Sequence, residues 1–242
     1  MGRWTLDGVG KLTQAAMDRV FTAHERPFEQ IDFVALAITQ LGADTEQRHI
    51  GILYKGESDG GVLMLHLAWH YKLKSEPPES TYAWIRPPIP RPRSRQVAAF
   101  CRMILKENPN GIPYAFSPAS DSLDKQTGKF INQPGGYGLT CATFVLAVFD
   151  ATGLPLAHYN TWPSNRQEDE RWREHIIGLL ERSGAEPEHI QKVRAERDTI
   201  RYRPEEVAGA AACTTTPAHF NDACELAGQI VAKLQNTGCV TW

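Results

Sequence analysis

The sequence lacks the features that mark several common classes of protein. Its formal net charge is only −2, from 26 basic and 28 acidic residues, so no positive excess predicts binding to nucleic acid or to an anionic membrane. No apolar run approaches the length of a membrane span, and no glycine-rich phosphate-binding loop is present. These absences indicate a water-soluble globular protein without an integral membrane segment.

Cysteine is scarce, and its spacing forms no pairs. The five cysteines are an odd number, and none belongs to a Cys-x-x-Cys motif. This argues against a disulfide framework and against a structural zinc site, so we expect a free thiol, no metal and no cofactor. The amino terminus also has no basic segment followed by an apolar core, which predicts synthesis as a cytoplasmic chain without a signal peptide.

The apolar patterns predict a mixture of strands and helices. Residues 49–55 and 62–68 read as a hairpin across a glycine-containing turn, and Ser94 is expected to cap a helix over 95–107. The run at 33–41 fits a helix or a strand, whereas 76–95 reads as a proline-rich extended loop. Further helices are expected over 12–26, 168–182, 187–197 and 218–234. The fold class is therefore α+β.

A buried helix is predicted to begin at Cys141. Thr140 is a good N-cap residue, an apolar run without a helix breaker follows, and Gly153 ends it. Unpaired N–H groups and the macrodipole at a helix N-terminus lower the pKa of a thiol, which makes Cys141 a candidate nucleophile. A cysteine on an apolar helix is also commonly just a small core residue, so its partners elsewhere decide between the two interpretations.

A cysteine nucleophile needs a base and a third group that fixes the imidazole tautomer. His49, at the start of the first hairpin strand, is the candidate base, and His66 on the return strand is the candidate to orient it, because paired strands bring side chains together. Backbone N–H groups around Cys141 would form part of an oxyanion hole, and Tyr114 would line it or hold substrate.

Two sets of segments resemble the two halves of the NlpC-type papain-like cysteine peptidases. The nucleophile half is matched by Pro-Tyr at 113–114, Leu-Thr-Cys-Ala-Thr-Phe-Val at 139–145 and Gly-Leu-Pro-Leu at 153–156. The base half is matched by His-Ile-Gly-Ile-Leu-Tyr-Lys-Gly at 49–56 and Leu-Met-Leu-His-Leu-Ala at 63–68. Here the histidine half comes first, as in the circularly permuted branch, which includes proteins similar to lecithin:retinol acyltransferase.

This resemblance spans roughly residues 48–156 and implies a papain-like core, with an antiparallel sheet packed on a central helix that carries Cys141 at its N-terminus. It implies a permuted catalytic domain over 1–160, and 161–242 would be a helical extension packed on the same domain. Thr140 stands where the family has Asp, and Ala142 stands where it has Ser. Both departures would reshape the substrate-binding pocket beside the nucleophile.

The resemblance implies that Cys141, His49 and His66 are the catalytic residues. The hairpin turn is longer than is usual in the family, so His70 stays open as an alternative to His66. A conventional arrangement, in which Cys141 pairs with His158 or His219, also stays open.

The expected activity is that of a cysteine hydrolase that cleaves an amide bond through a thioester acyl-enzyme. The resemblance implies a peptide substrate such as a stem peptide of bacterial peptidoglycan. An acyltransferase or thioesterase acting on lipid or acyl substrates, and a non-catalytic binding module, are the alternatives. Since a cell-wall enzyme without a signal peptide needs another route of export, the chain would be an antibacterial effector delivered by a secretion system, with an immunity protein as partner.

Overall fold

An antiparallel sheet of six strands organises the protein, in the spatial order β1-β6-β2-β3-β4-β5. The computed structural model describes residues 13–42, 45–56, 61–131, 137–164, 166–196 and 199–241. The strands are β1 (Val20–Thr22), β2 (Val34–Leu41), β3 (Arg48–Lys55), β4 (Val62–Trp69), β5 (Lys72–Glu76) and β6 (Ala83–Ile85). A short strand, β7 (Val240–Thr241), pairs in parallel with β2. The predicted α+β class is confirmed.

Helices cover one face of this sheet. A helical turn at 13–17 precedes β1. The longer helices are α1 (Arg91–Glu107), α2 (Cys141–Ala151), α3 (Gln167–Arg182), α4 (Pro187–Ala195), α5 (Pro204–Ala212) and α6 (Phe220–Thr237). Helix α2 is buried from Cys141 to Phe149 and packs on β3 and β4. Residues of α3, α5 and α6 share its hydrophobic core, so the last third of the chain packs around the same central helix.

The central strands are buried on both faces. Ile50, Ile52 and Leu65 belong to the core that includes α2, whereas Leu53 and Met64 belong to a second core on the opposite face. A strand that is covered on both sides shows a continuous apolar run rather than alternation. This is why the apolar run at 33–41 was compatible with either a helix or a strand when the sequence was considered alone. In the structure it forms strand β2.

Several predicted elements differ from the observed ones. The helix expected over 12–26 is wrong beyond residue 17, because Val20–Thr22 pairs with β6 as strand β1. The loop expected over 76–95 contains β6, and α1 begins at Arg91 with Pro92 in its first turn. Ser94 therefore lies inside α1 rather than at its cap. Residues 57–60 of the predicted hairpin turn lie outside the described residues.

Helix α5 was not predicted from the sequence. It begins with Pro204 in its first turn and buries seven consecutive residues, Glu206–Ala212, mostly alanine. Such small side chains let α5 lie close to both α6 and the sheet. The pattern is apolar all round rather than amphipathic, so it gives no helical period.

Candidate active site

The first turn of α2 is fixed by a reciprocal cap. The Thr143 N–H donates to the Thr140 hydroxyl at 3.1 Å, and the Thr140 N–H donates to the Thr143 hydroxyl at 2.8 Å. Threonine at both positions thus forms a capping box, with Cys141 as the first helical residue. Thr140 and Ala142 flank Cys141 in the wall of the same cavity, but the Thr140 hydroxyl is engaged in the cap.

Tyr114 is brought to Cys141 by a close pairing of two irregular segments. The Leu139 N–H donates to the Pro113 carbonyl at 3.0 Å, and the Ala115 N–H donates back to the Leu139 carbonyl at 3.3 Å. A Cβ on Gly138 would lie 2.2 Å from that Pro113 oxygen, so only glycine allows the approach. Tyr114 therefore lies beside the helix N-terminus.

The thiol of Cys141 lies among the backbone N–H groups of Ile50, Ala142 and Cys141 itself, which act to lower its pKa. The Tyr114 hydroxyl lies close to the Cys141 thiol and backbone N–H. Burial nevertheless raises the pKa of Cys141 to about 11. The lowered pKa expected from the helix N-terminus is therefore wrong, because the loss of hydration outweighs the backbone N–H groups around the sulfur.

Three side chains on β5, β4 and β3 form a hydrogen-bonded series that ends at His49. His49 Nε2 lies 2.7 Å from His66 Nδ1, and His66 Nε2 lies 3.1 Å from Glu76 Oε1. A carboxylate only accepts hydrogen bonds, so Glu76 holds the proton of His66 on Nε2. His66 Nδ1 then accepts from His49 Nε2–H. This leaves His49 Nδ1 without a proton, in the state that a base requires.

Burial sets the charge of these histidines. It lowers the pKa of His49 to about 3, with the nearby His66 acting in the same direction. It lowers the pKa of His66 as well, although Glu76 opposes that shift. Both imidazoles are therefore neutral at pH 7, as the relay of hydrogen bonds requires.

Gly51 makes room for this contact between strands. It lies on β3 two residues after His49, on the same face of the sheet. A Cβ at this position would lie 2.9 Å from the Cβ of His66. The absence of a side chain lets His66 approach β3 and reach the ring of His49.

Cys141 and His49 line one cavity of about 190 Å³. The pairing of β3 with β4 runs to Ile52 and Leu65, and the cavity lies where the ends of the two strands meet the start of α2. Cys141 and His49 are not hydrogen-bonded to each other among the described residues: alternation along β3 puts His49 on the face of Gly51 and Leu53, opposite the face on which α2 packs, and the two side chains share only the cavity at the strand end. Catalytic hydrogen bonds are often loose without substrate and tighten when it binds.

The last third of the chain supplies much of the outer wall of this cavity, and β3 and β4 supply the rest. The wall has an apolar part, on α3 and at the end of β4, and a charged part, on the segment that leads into α5 and at the start of β3. The lining includes Trp69, Trp172, Ile176, Leu179, Arg48, Arg201, Tyr202 and Glu205. Arg48 pairs with Glu205 at 3.1 Å, which closes one side of the opening. The cavity thus has an aromatic and aliphatic half and a charged half.

The alternative histidines lie elsewhere. His70 Nδ1 accepts a hydrogen bond from the Tyr114 N–H at 3.1 Å, so it supports Tyr114 rather than His49. His158 and His219 stack on each other, with ring centroids 4.5 Å apart, and neither lines the cavity of Cys141. Of the candidates, the structure brings His66 to His49. Glu76 was missed because it lies on β5, outside the motif of the hairpin.

Within the described ranges, no group of three or more His, Cys, Asp or Glu side chains is placed to hold a metal ion. In the same part of the chain, no helix has both the length and the apolar character needed to cross a bilayer.

No protein-family model matches the chain, and neither a curated protein nor a solved structure matches it.

Proposed function

We propose that this protein is a cysteine hydrolase that cleaves an amide bond through a thioester intermediate, with Cys141 as nucleophile and His49 as base. The observation that carries the proposal is the hydrogen-bonded chain Glu76–His66–His49, which ends in the cavity that Cys141 lines. Glu76 and His66 together fix the tautomer of His49, which leaves its Nδ1 without a proton at that cavity.

Acylation follows from the tautomers. His49 Nδ1 takes the proton of the Cys141 thiol as the sulfur attacks the carbonyl carbon of the substrate. The oxygen of the tetrahedral intermediate accepts hydrogen bonds from the Cys141 N–H and from the Tyr114 hydroxyl, which lies close to it. The C–N bond then breaks, His49 returns the proton to the leaving amine, and the acyl group stays on sulfur as a thioester.

Deacylation uses the same groups in reverse. Water attacks the thioester carbon while His49 Nδ1 accepts its proton, the C–S bond breaks, and the proton returns to the Cys141 sulfur. The products are a carboxylic acid and the free enzyme. Because the pKa of the thiol is raised and that of His49 is lowered in the resting site, the proton moves to His49 only in concert with attack on the substrate, rather than in a preformed ion pair.

The cavity walls suggest the class of substrate. Arg48, Glu205 and Arg201 offer ionic and hydrogen-bonding contacts that suit a polar peptide. Trp172 and Leu179 on α3 suit an apolar side chain, and they equally suit an acyl chain, which favours a thioesterase or acyltransferase as the second candidate. We place peptide amides first, because the charged side chains in one half of the cavity make no favourable contact with an apolar acyl chain.

The proposal extends to the family of this protein and to the route by which it reaches its substrate. The order of His49 before Cys141, with a sheet packed on the cysteine helix, supports a place in the permuted NlpC-type branch with a papain-like core. On that basis the substrate is a peptidoglycan stem peptide, the enzyme is an antibacterial effector delivered by a secretion system, and its partner is an immunity protein. Directing the chain to the periplasm of a susceptible bacterium tests this: lysis that needs Cys141 supports it, and normal growth contradicts it.

Intact-protein mass spectrometry tests the chemistry itself. The wild type is mixed with stem-peptide amides or with short acyl esters and quenched with acid, and an added acyl mass is sought. We expect an adduct that Cys141→Ala abolishes and that Cys224→Ala, which removes a thiol on α6 outside the cavity, retains. Amide cleavage identifies a peptidase or amidase, and ester turnover alone identifies the second candidate. No adduct and no turnover with either substrate class would contradict the proposal.

A further inference from the structure

Two histidines hold the main chain of Tyr114 from both sides. His70 Nδ1 accepts a hydrogen bond from the Tyr114 N–H at 3.1 Å. His189 Nε2 donates to the Tyr114 carbonyl at 2.9 Å. The two rings lie against each other, with centroids 4.4 Å apart. The peptide groups on either side of Tyr114 are therefore both fixed by imidazoles.

The chemistry of the partners fixes both tautomers. A backbone N–H only donates, so His70 Nδ1 has no proton, and its proton is on Nε2, which faces Glu186 Oε2 at 3.5 Å. A carbonyl only accepts, so His189 carries its proton on Nε2. The arrangement needs a neutral His70, because an N–H on Nδ1 would point at the N–H of Tyr114.

We propose that His70 and His189 are positioning residues that keep the Tyr114 hydroxyl at the Cys141 thiol and backbone N–H. This role rests on the proposed function, since the hydroxyl is one of the two donors for the oxyanion. His70 follows the end of β4, whereas His189 lies on α4, so the pair ties the catalytic sheet to the last third of the chain.

Several ionisable groups face this pair. Glu186 precedes α4 and approaches His70, Tyr71 stacks edge-on against His70 at 4.4 Å, and the Tyr114 main chain is hydrogen-bonded to both rings. Burial lowers the pKa of His70, the neighbouring His189 acts in the same direction, and Glu186 opposes it. The ring of His70 therefore stays neutral below the pH at which a histidine ordinarily gains a proton. The clamp, meaning the hydrogen bonds of His70 and His189 to the Tyr114 main chain, loosens only in acid.

Amide side chains can replace each imidazole selectively. Asparagine at position 70 offers an oxygen close to the place of Nδ1, and glutamine at position 189 offers an N–H close to the place of Nε2. Phenylalanine at either position keeps the ring and removes the hydrogen bond. His70→Phe with His70→Asn, and His189→Phe with His189→Gln, are thus matched pairs. His175→Asn, on an exposed part of α3, is the control.

Kinetics on the full chain give the first test. We expect each phenylalanine variant to lower kcat roughly ten- to hundredfold with little change in KM, because a misplaced donor weakens the oxyanion site rather than substrate binding. Each amide variant recovers most of that loss. In a Tyr114→Phe background the same substitutions cost almost nothing further, since the hydroxyl is already gone. Equal losses in both backgrounds would overturn the proposal.

Two readouts do not depend on turnover. Hydrogen exchange of the Tyr114 amide is expected to quicken in His70→Phe and to stay slow in His70→Asn. The rate of alkylation of Cys141 is expected to change in His70→Phe by as much as in Tyr114→Phe, because both remove the hydroxyl from the sulfur. If neither readout moves, the clamp is wrong whatever the activity. If both move but the wild type cleaves nothing, the hydrolase proposal fails and the clamp stands.

Discussion

Gly51 lies so close to His66 that a Cβ on the glycine would be 2.9 Å from the Cβ of the histidine. The contact is the reason that the two strands of the hairpin can join His49 to His66 at 2.7 Å. The relay, meaning the hydrogen-bonded series Glu76–His66–His49, therefore depends on Gly51, which has no side chain of its own.

Gly51→Ala is expected to separate the two histidines. The added methyl meets His66 Cβ and Met64 Cγ at about 3 Å, so β4 must move, at a cost of roughly 1–3 kcal/mol in the free energy of unfolding and more than tenfold in kcat. Gly228→Ala is the control, because no atom lies within 4 Å of its added Cβ on α6, and it should gain about 0.5–1 kcal/mol. Urea unfolding and kinetics measure both; unchanged kcat in Gly51→Ala would contradict the relay.

Glu76→Leu is expected to leave the tautomer of His66 unfixed. His66 Nε2 loses its acceptor, so part of the population carries the proton on Nδ1 and cannot accept from His49. We expect kcat to fall about tenfold with KM nearly unchanged, since Glu76 acts through two other residues. Lys74→Gln removes the other partner of Glu76, which lies at 3.3 Å, and should keep the wild-type rate. A similar loss in both variants would indicate damage to β5 rather than to the relay.

The reactivity of Cys141 toward a small alkylating reagent should follow its raised pKa. With a pKa of about 11, little thiolate exists at pH 7, and the labelling rate should climb about tenfold per pH unit up to that value. Peptide mapping after brief treatment at pH 6 to 11 gives the rate for each cysteine. A rate that levels off below pH 7 would show a preformed thiolate and would contradict the general-base mechanism.

Buried neutral histidines should make the protein sensitive to acid. The pKa of His49 is about 3 in the folded protein and 6.5 as a free side chain. Below pH 6.5 the unfolded chain therefore binds a proton at His49 that the folded chain does not bind. One such residue removes about 1.4 kcal/mol of stability per pH unit as the pH falls toward 3. Urea unfolding at pH 7 and pH 5 measures the slope. His49→Gln should flatten it, whereas His175→Gln should not; equal slopes in all three proteins would show that His49 is already charged.

The sequence predicted those parts of the site that lie within local motifs. Cys141 at a helix start and His49 on a strand are visible in short patterns of capping and apolar residues. Glu76 is not, because only the pairing of β5 with β4 brings it to His66. His189 is similarly hidden, since its contact with Tyr114 joins segments 75 residues apart.

Non-local packing also explains the other errors. Val20–Thr22 is too short to show a strand period and is fixed by pairing with β6. The pKa of Cys141 was predicted in the wrong direction because the wall that excludes water from the thiol comes from α3 and from Arg201 and Tyr202. A cysteine at a helix N-terminus is expected to be a thiolate only when water or an opposite charge can reach its sulfur.

The mixed origin of the cavity has a consequence for selective inhibition. An electrophile that reaches Cys141 must fit about 190 Å³ between the end of β4 and helix α3. Fragment-sized warheads with one flat apolar arm, placed against Trp172, meet this limit, whereas bulky thiol reagents do not. The half-exposed Cys224 lacks such a wall, so the ratio of labelling at the two cysteines across reagents of increasing size would map the dimensions of the entrance.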